Sequence, residues 1–153
     1  MLYKILKTFF SPVVRFIWIK KFKGIENIPK DIPAILASNH SSHLDFFCLM
    51  AICKRKIHFL AKKEHFDKKW KRFFLKNTGQ ICVNRQSQHK SELYFVYKEA
   101  LRILKLGKLI GIYPEGTRSN NGKLQKFQLG VVQLAFLSSV PVIPIGVKGT
   151  FEL

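Results

Sequence analysis

The sequence predicts an α/β domain with a mostly parallel central sheet flanked by helices, preceded by an amphipathic helical segment. Three observations support this prediction. The 153 residues are enough for one domain with a hydrophobic core. From residue 24 onward, short apolar runs alternate with helical patterns, as is typical of layered α/β domains. Residues 1–23 form a separate basic and apolar unit, so we divide the chain into segments 1–23 and 24–153.

The N-terminal segment has the apolar character of a signal peptide or a membrane span, but its charges argue against both. Lys4, Lys7 and Arg15 interrupt every long apolar run, whereas a spanning helix needs about twenty apolar residues. With Ser11, these basic residues recur on one side of a helix, which indicates an amphipathic anchor lying in the membrane interface. Ser11 followed by Pro12 predicts two short helices. A core-packing helix of a soluble domain remains an alternative.

Five short apolar runs are predicted to be the strands of the sheet: residues 34–38, 57–61, 81–83, 109–113 and 142–147. The clearest helix covers residues 91–106, where apolar side chains recur on one face and Gly107 follows as a stop. Residues 62–76 carry Phe66, Trp70, Phe73 and Phe74 among many lysines. This segment is either a solvated helix with a buried aromatic stripe or a second membrane-facing patch.

The positive net charge of the chain indicates an anionic partner. Twenty-seven Lys and Arg residues against nine Asp and Glu give a formal net charge of +18. A content of 47% hydrophobic and 13% aromatic residues excludes a disordered basic tail. Because no nucleic-acid motif is recognised, we expect anionic membrane phospholipids rather than nucleic acid as the partner. A basic lipid-binding module without catalytic activity is an alternative that the charge alone leaves open.

The cysteines indicate a reducing compartment. Three cysteines without a CxxC pair suggest neither a disulfide framework nor a zinc site. Together with the basic, apolar N-terminal segment, this predicts a membrane-associated protein at the cytoplasmic face.

Candidate chemistry follows the first predicted strand, at residues 38–45. Here His40, His43 and Asp45 lie in a polar turn before an apolar run. A turn leading into a helix can bring the Asp45 carboxylate to the His40 imidazole, so that His40 acts as a general base and Asp45 orients it. Such residues also form ordinary turns and helix caps. A metal site is a weaker alternative, because these three ligands have no obvious fourth.

Four sequence blocks in a fixed order resemble a known enzyme family. The blocks are Asn39-His40-Ser41-Ser42-His43-Leu44-Asp45, Ile81-Cys82-Val83-Asn84-Arg85, Tyr113-Pro114-Glu115-Gly116-Thr117-Arg118-Ser119 and Val140-Pro141-Val142-Ile143-Pro144-Ile145. They are similar to the blocks of the glycerolipid acyltransferases, a family that includes the lysophosphatidic acid acyltransferases. The family usually continues with a further strand and helix beyond the fourth block, so we expect a C-terminally truncated version of its domain.

The resemblance implies transfer of a fatty acyl group from acyl-CoA or acyl carrier protein to the sn-2 hydroxyl of 1-acylglycerol 3-phosphate, giving phosphatidic acid. In this interpretation His40 is the catalytic base, Asp45 is its partner, and the enzyme uses no metal or other cofactor. Glycerol 3-phosphate and other lysophospholipids remain open as acceptors.

The resemblance also implies a phosphate site for the lysophospholipid acceptor. Its candidate residues are Arg118, Arg85, Gly116 and Thr117. The guanidinium of Arg118 offers a planar fork of donors to phosphate oxygens, and Gly116 lets the backbone approach closely. We expect Glu115 to orient an arginine, to hydrogen-bond the glycerol or to form an ion pair, and Asn39 to support the site.

Overall fold

The computed structural model describes residues 2–84 and 90–152 of the chain. In this part of the chain one sheet is formed by β1 (Ala34–Ser38), β2 (Ile57–Lys62), β3 (Ile81–Val83), β4 (Leu109–Ile112) and β5 (Val142–Ile145). The strand order is β3-β2-β4-β1-β5, and every neighbouring pair runs parallel. The predicted α/β class is confirmed, and the ends of the five predicted strands differ from the observed ends by at most two residues.

Helices flank both faces of the sheet. They are α1 (Leu2–Ile17), α2 (Leu44–Ile52), α3 (Lys69–Thr78), α4 (Lys90–Lys105) and α5 (Gly130–Ser138). Helices α4 and α5 pack with Ile35 and Ile110 on one face of the sheet. Helix α2 packs with Leu36 and Leu109 on the other face. The side chains of β1 and β4 are therefore buried on alternate faces, which explains why both strands read as continuous apolar runs.

The central strands place two loops at one edge of the sheet. Strands β1 and β4 are parallel neighbours, with Ala37 in register with Ile112. Because parallel strands end at the same edge, the loop from residue 39 and the loop from residue 113 leave the sheet side by side. The blocks that contain His40 and Arg118 therefore begin at adjacent strand ends.

The N-terminal segment differs from its prediction, because α1 runs through Pro12 as one helix. Pro12 removes one backbone hydrogen bond, but packing on both sides of it keeps the two halves in line. Tyr3 and Val14 are buried, and Val14 packs against α2. Ser11, predicted on the polar outer side and as a helix boundary, is 7% exposed. The Lys7 ammonium donates to the carbonyl of Cys53 instead of pointing to solvent.

The outward side of α1 is largely apolar, with Lys4 and Arg15 as exposed cations. Its most exposed large apolar side chains are Phe9, Phe10, Val13, Phe16 and Ile17. Within residues 2–84 and 90–152, no helix has the length and apolar character needed to cross a membrane. The division at residue 23 and the interfacial position of α1 stay predictions.

Residues 62–76 contain a 3-10 turn, Lys63–Phe66, followed by the start of α3. Phe66 is buried in the turn, at 8% exposure. Trp70 and Phe73 instead lie on the outside of α3, at 68% and 65% exposure. The alternative of a buried stripe therefore applies to Phe66 and not to these two aromatic residues.

Candidate active site

His40 and Asp45 meet in the turn between β1 and α2. Nδ1 of His40 lies 2.8 Å from Oδ2 of Asp45, which occupies the first turn of α2. The five-residue separation is bridged because the chain turns from strand into helix between them. With Nδ1 hydrogen-bonded to the carboxylate, Nε2 of His40 is the ring nitrogen that can accept a proton.

Asp45 is held in one position by a full set of donors. Its side chain is 0% exposed. Besides His40, Oδ2 accepts the backbone N–H groups of Ser41 and Ser42 at 2.7 and 2.9 Å, and Oδ1 accepts the hydroxyl of Thr150 at 2.5 Å. Burial raises the pKa of Asp45, but these hydrogen bonds together lower it by more, so the pKa lies below its usual value. Asp45 is therefore an ionised, immobile partner for His40.

The imidazole of His40 stacks on the ring of Tyr113. The two ring centroids are 3.9 Å apart and the planes differ by 12°. Phe59 in turn stacks on Tyr113 at 5.5 Å. The Phe59 ring lies so close to Gly111 that a Cβ there would come within 2.4 Å of it, so this strand position requires glycine. This aromatic stack and Asp45 together fix the plane of the imidazole.

Glu115 holds the backbone of this site, a role that the sequence did not predict. It is 4% exposed. Its Oε1 accepts the N–H of His40 and its Oε2 accepts the N–H of Gln125, both at 2.8 Å. The carbonyl of His40 also accepts the N–H of Ser119 at 2.7 Å. In the described part of the chain Glu115 has no arginine or lysine within ion-pair distance, so its observed role is to tie the loops after β1 and β4 together.

Asn39 joins the same turn to the segment after β5. Its amide nitrogen donates to the carbonyl of Val147 at 2.8 Å, and its amide oxygen accepts the N–H of Val147 at 2.7 Å. Because both ends of one side chain are used, this contact fixes the distance and the orientation between the two segments. The predicted supporting position of Asn39 is thus a link between backbone segments.

The predicted phosphate residues lie at the rim of the pocket that contains His40. Gly116 has a φ of +74° and donates to the carbonyl of Tyr113 at 2.9 Å, so the tight turn depends on glycine. Thr117 and Arg118 follow as exposed residues that line the same pocket. Arg85, the other predicted cation, lies outside the described residues.

The pocket itself has a volume of about 460 Å³ and a largely apolar wall. The apolar part is lined by Phe46, Phe47, Phe59, Leu60, Ala61, Trp70, Phe74, Leu75 and Tyr113. The charged side chains that line it are Lys62, Lys71 and Arg118, and none of the described lining residues is a carboxylate. The arrangement can hold an apolar chain and an anionic group while Nε2 of His40 takes a proton from a hydroxyl.

A second histidine, His43, lies at the edge of the pocket. Its ring is 6.1 Å from that of His65, in an edge-to-face arrangement. Partial burial and then the nearby charge of Arg118 lower the pKa of His43. His43 is therefore neutral at pH 7 and, unlike His40, has no hydrogen bond to Asp45 among the described contacts.

Sequence reasoning missed Thr150 and Tyr113. Thr150 is 105 residues from Asp45 in the chain, and it lies in a stretch without any local motif. Its only signal is a small hydroxyl residue shortly after the last strand. Tyr113 begins the third of the four sequence blocks, but no role was predicted for it, since a tyrosine at a strand end is usually a packing residue.

We expect Thr150→Val to lower the free energy of unfolding by about 2 kcal/mol at pH 7, because a buried carboxylate loses a hydrogen bond. The native pKa of Asp45 is below its unfolded value of about 3.9. The stability that comes from the hydrogen bonds of ionised Asp45 is therefore fully present above the unfolded pKa, and it is lost as pH falls through the native pKa. The difference between variant and wild type therefore shrinks in acid. Urea unfolding at neutral and acidic pH measures it.

The matched control is Thr150→Ser, which keeps the hydroxyl and removes only a methyl group. We expect it to retain most of the stability that Thr150→Val loses. A small loss in Thr150→Val and a larger loss in Thr150→Ser, with no dependence on pH in either variant, would mean that Thr150 acts through packing and not through Asp45.

Comparison with known proteins gives three kinds of match. The family model described as Acyltransferase matches residues 20–148. A 1-acyl-sn-glycerol-3-phosphate acyltransferase of Bacillus subtilis (strain 168) is 34% identical over 125 residues, covering 81% of this chain. A chloroplast enzyme of the same name from Arabidopsis thaliana is 33% identical over 132 residues, covering 86% of this chain. The crystal structure of the 1-acyl-sn-glycerophosphate acyltransferase from Thermotoga maritima superimposes with a TM-score of 0.78 at 27% identity, covering 99% of this chain.

These relatives are longer than the chain. The match spans 60% of the Bacillus protein, 36% of the Arabidopsis protein and 60% of the Thermotoga chain. The matched part includes the turn with His40 and the turn with Arg118.

Proposed function

This chain belongs to the acyltransferase family, and from that premise we propose that it transfers a fatty acyl group from a thioester to the sn-2 hydroxyl of 1-acylglycerol 3-phosphate, forming phosphatidic acid. The observation that carries the proposal is that His40, hydrogen-bonded to buried Asp45 at 2.8 Å, lines a pocket with an apolar wall and a cationic rim. The names of the Bacillus and Thermotoga relatives support this choice of acceptor.

In the proposed reaction His40 acts as the general base. Nε2 takes the proton of the acceptor hydroxyl while the hydroxyl oxygen attacks the thioester carbonyl carbon. The new C–O bond forms, the C–S bond breaks, and the thiolate of the carrier leaves with the proton that His40 held. Asp45, ionised and buried, stabilises the imidazolium during the transfer. It also holds the imidazole in the tautomer that carries its proton on Nδ1. The reaction needs no metal or redox cofactor.

The acceptor phosphate is proposed to bind at the turn of Gly116, Thr117 and Arg118, with Arg85 as a second cation. Arg118 lines the rim of the pocket that contains His40, so a phosphate there leaves the glycerol hydroxyl directed inward. Glu115 ties this turn to the His40 turn, and Asn39 ties the His40 turn to the segment after β5, each through hydrogen bonds between its side chain and backbone groups. They are positioning residues.

The proposed site of action is a membrane surface at the cytoplasmic face. The exposed apolar side of α1 and the net charge of +18 suit an interfacial anchor on anionic phospholipid. The acyl donor is acyl-CoA or acyl carrier protein, and no nucleic acid takes part.

The experiment that tests the proposal supplies the purified chain with 1-acylglycerol 3-phosphate and a panel of acyl-CoA and acyl carrier protein thioesters. We expect phosphatidic acid as the product. Acyl transfer to glycerol 3-phosphate or to another lysophospholipid instead would keep the enzyme class and change the acceptor. No transfer to any acceptor, together with undiminished binding to anionic vesicles, would indicate a noncatalytic lipid-binding module.

A further inference from the structure

Helix α3 carries two large aromatic side chains on its outer surface. Trp70 and Phe73 are 68% and 65% exposed, and their spacing of three residues puts them on one side of the helix. On a soluble protein such a pair would be expected to pack against the core. Here the core contact is made by Phe66 in the preceding turn, which is 8% exposed.

The charged side chains of α3 itself all have the same sign. The ten residues of α3 include four cations and no carboxylate: Lys69, Lys71, Arg72 and Lys76. The Lys71 ammonium lies 5.4 Å from the centre of the Trp70 ring, and Nε of Arg72 donates to the carbonyl of Phe66 at 2.7 Å. Exposed aromatic residues among lysines and arginines suit an anionic lipid surface, where the rings enter the interface and the cations meet phosphates.

Helix α3 also connects α1 to the pocket. It contacts α1, whose exposed apolar side includes Phe9 and Phe16. It lines the pocket of His40 with Trp70, Lys71, Phe74 and Leu75. The helix that bears the exposed aromatic residues is therefore also a wall of the pocket.

We propose that α3 is a second membrane-contacting element, with Trp70 and Phe73 inserted into the interface of an anionic bilayer. In this arrangement the bilayer surface lies at the wall of the His40 pocket, and a lipid acceptor reaches the pocket along α3 without crossing bulk water. The inference rests on the proposed function only in taking the acceptor to be a lipid. The binding surface itself rests on exposure, charge and the contact with α1.

Fluorescence of Trp70 tests the proposal directly, because the chain has only two tryptophans and Trp18→Phe leaves Trp70 as the single reporter. The probe is vesicles of equal parts phosphatidylglycerol and phosphatidylcholine. We expect the emission of Trp70 to shift to shorter wavelength on binding and to be quenched by lipids brominated on the acyl chains. Vesicles of phosphatidylcholine alone should bind more weakly, since the cations lose their partners.

A double variant, Trp70→Gln with Phe73→Gln, tests the energetic contribution of the same surface. We expect its vesicle affinity to fall by about tenfold, because interfacial binding scales with the apolar area buried. The matched control is Phe136→Gln on α5, which removes an aromatic side chain that is 85% exposed on the opposite side of the sheet. The control should bind vesicles as tightly as the wild type.

The proposal is overturned if Trp70 emission and quenching do not change on vesicles that bind the chain, or if the double variant binds as tightly as the Phe136 variant. Either result would leave α1 as the membrane contact. Because these vesicles contain no substrate, a failure of acyl transfer in the assay of the proposed function does not affect this test. The fluorescence measurement also stands if the double variant does not fold.

Discussion

Replacement of His40 by alanine is expected to lower the rate of acyl transfer by about a thousandfold. The expectation follows from the geometry, because His40 is the imidazole whose Nδ1 is bound to an ionised, buried carboxylate and which also faces the pocket. Without it, the acceptor hydroxyl must attack the thioester as a neutral alcohol. Phosphatidic acid formed from 1-acylglycerol 3-phosphate and the best donor of the panel measures the effect.

The matched control for this variant is His43→Ala. His43 lies three residues further along the same turn and also lines the pocket, but it has no described bond to Asp45. We expect its loss of rate to be less than about tenfold, since no proton transfer depends on it. His40→Ala should keep its vesicle binding and still unfold cooperatively in urea, at a lower midpoint because buried Asp45 loses a hydrogen bond. A His40→Ala enzyme as fast as the His43→Ala enzyme would remove the base from the proposed mechanism.

Most of the fold could be predicted because its strands are local features. The runs at 34–38 and 81–83 were found with the same bounds, since each is a short apolar stretch between turn residues. The prediction of a helix break at Pro12 was wrong because the outcome there depends on contacts that are distant in the sequence. Whether a proline ends a helix depends on what packs on its two sides, and the contacts of Val14 with α2 are not visible in the local pattern.

The site shows the same division between local and distant information. The turn from β1 into α2 brings His40 and Asp45 together over five residues, and sequence reasoning anticipated this. The partners that complete the site come from other parts of the chain: Glu115 lies 75 residues from His40, and Thr150 lies 105 residues from Asp45. A carboxylate next to a turn glycine suggests an ion pair in a very basic chain. The actual hydrogen-bond partners of Glu115 are backbone N–H groups. The sequence does not distinguish these partners from the side chain of an arginine or lysine.

Arg118→Gln is the second variant with a large expected effect, and its effect should depend on the substrate. A guanidinium makes charge-assisted hydrogen bonds to phosphate, each contributing about 1.5–3 kcal/mol, so the KM for 1-acylglycerol 3-phosphate should rise about ten- to hundredfold. The KM for the acyl donor should change little. Steady-state kinetics with each substrate varied in turn separates the two.

The control for charge is Lys98→Gln on α4, which removes an exposed cation on the opposite side of the sheet from α2 and should leave both KM values unchanged. Arg118→Lys keeps the charge but loses the planar fork, so an intermediate KM for the acceptor would show that hydrogen-bond geometry contributes as well as charge. A rise in the donor KM with an unchanged acceptor KM would assign Arg118 to the thioester carrier. The acceptor phosphate would then have to bind elsewhere on the cationic rim, where Lys62 and Lys71 also line the pocket.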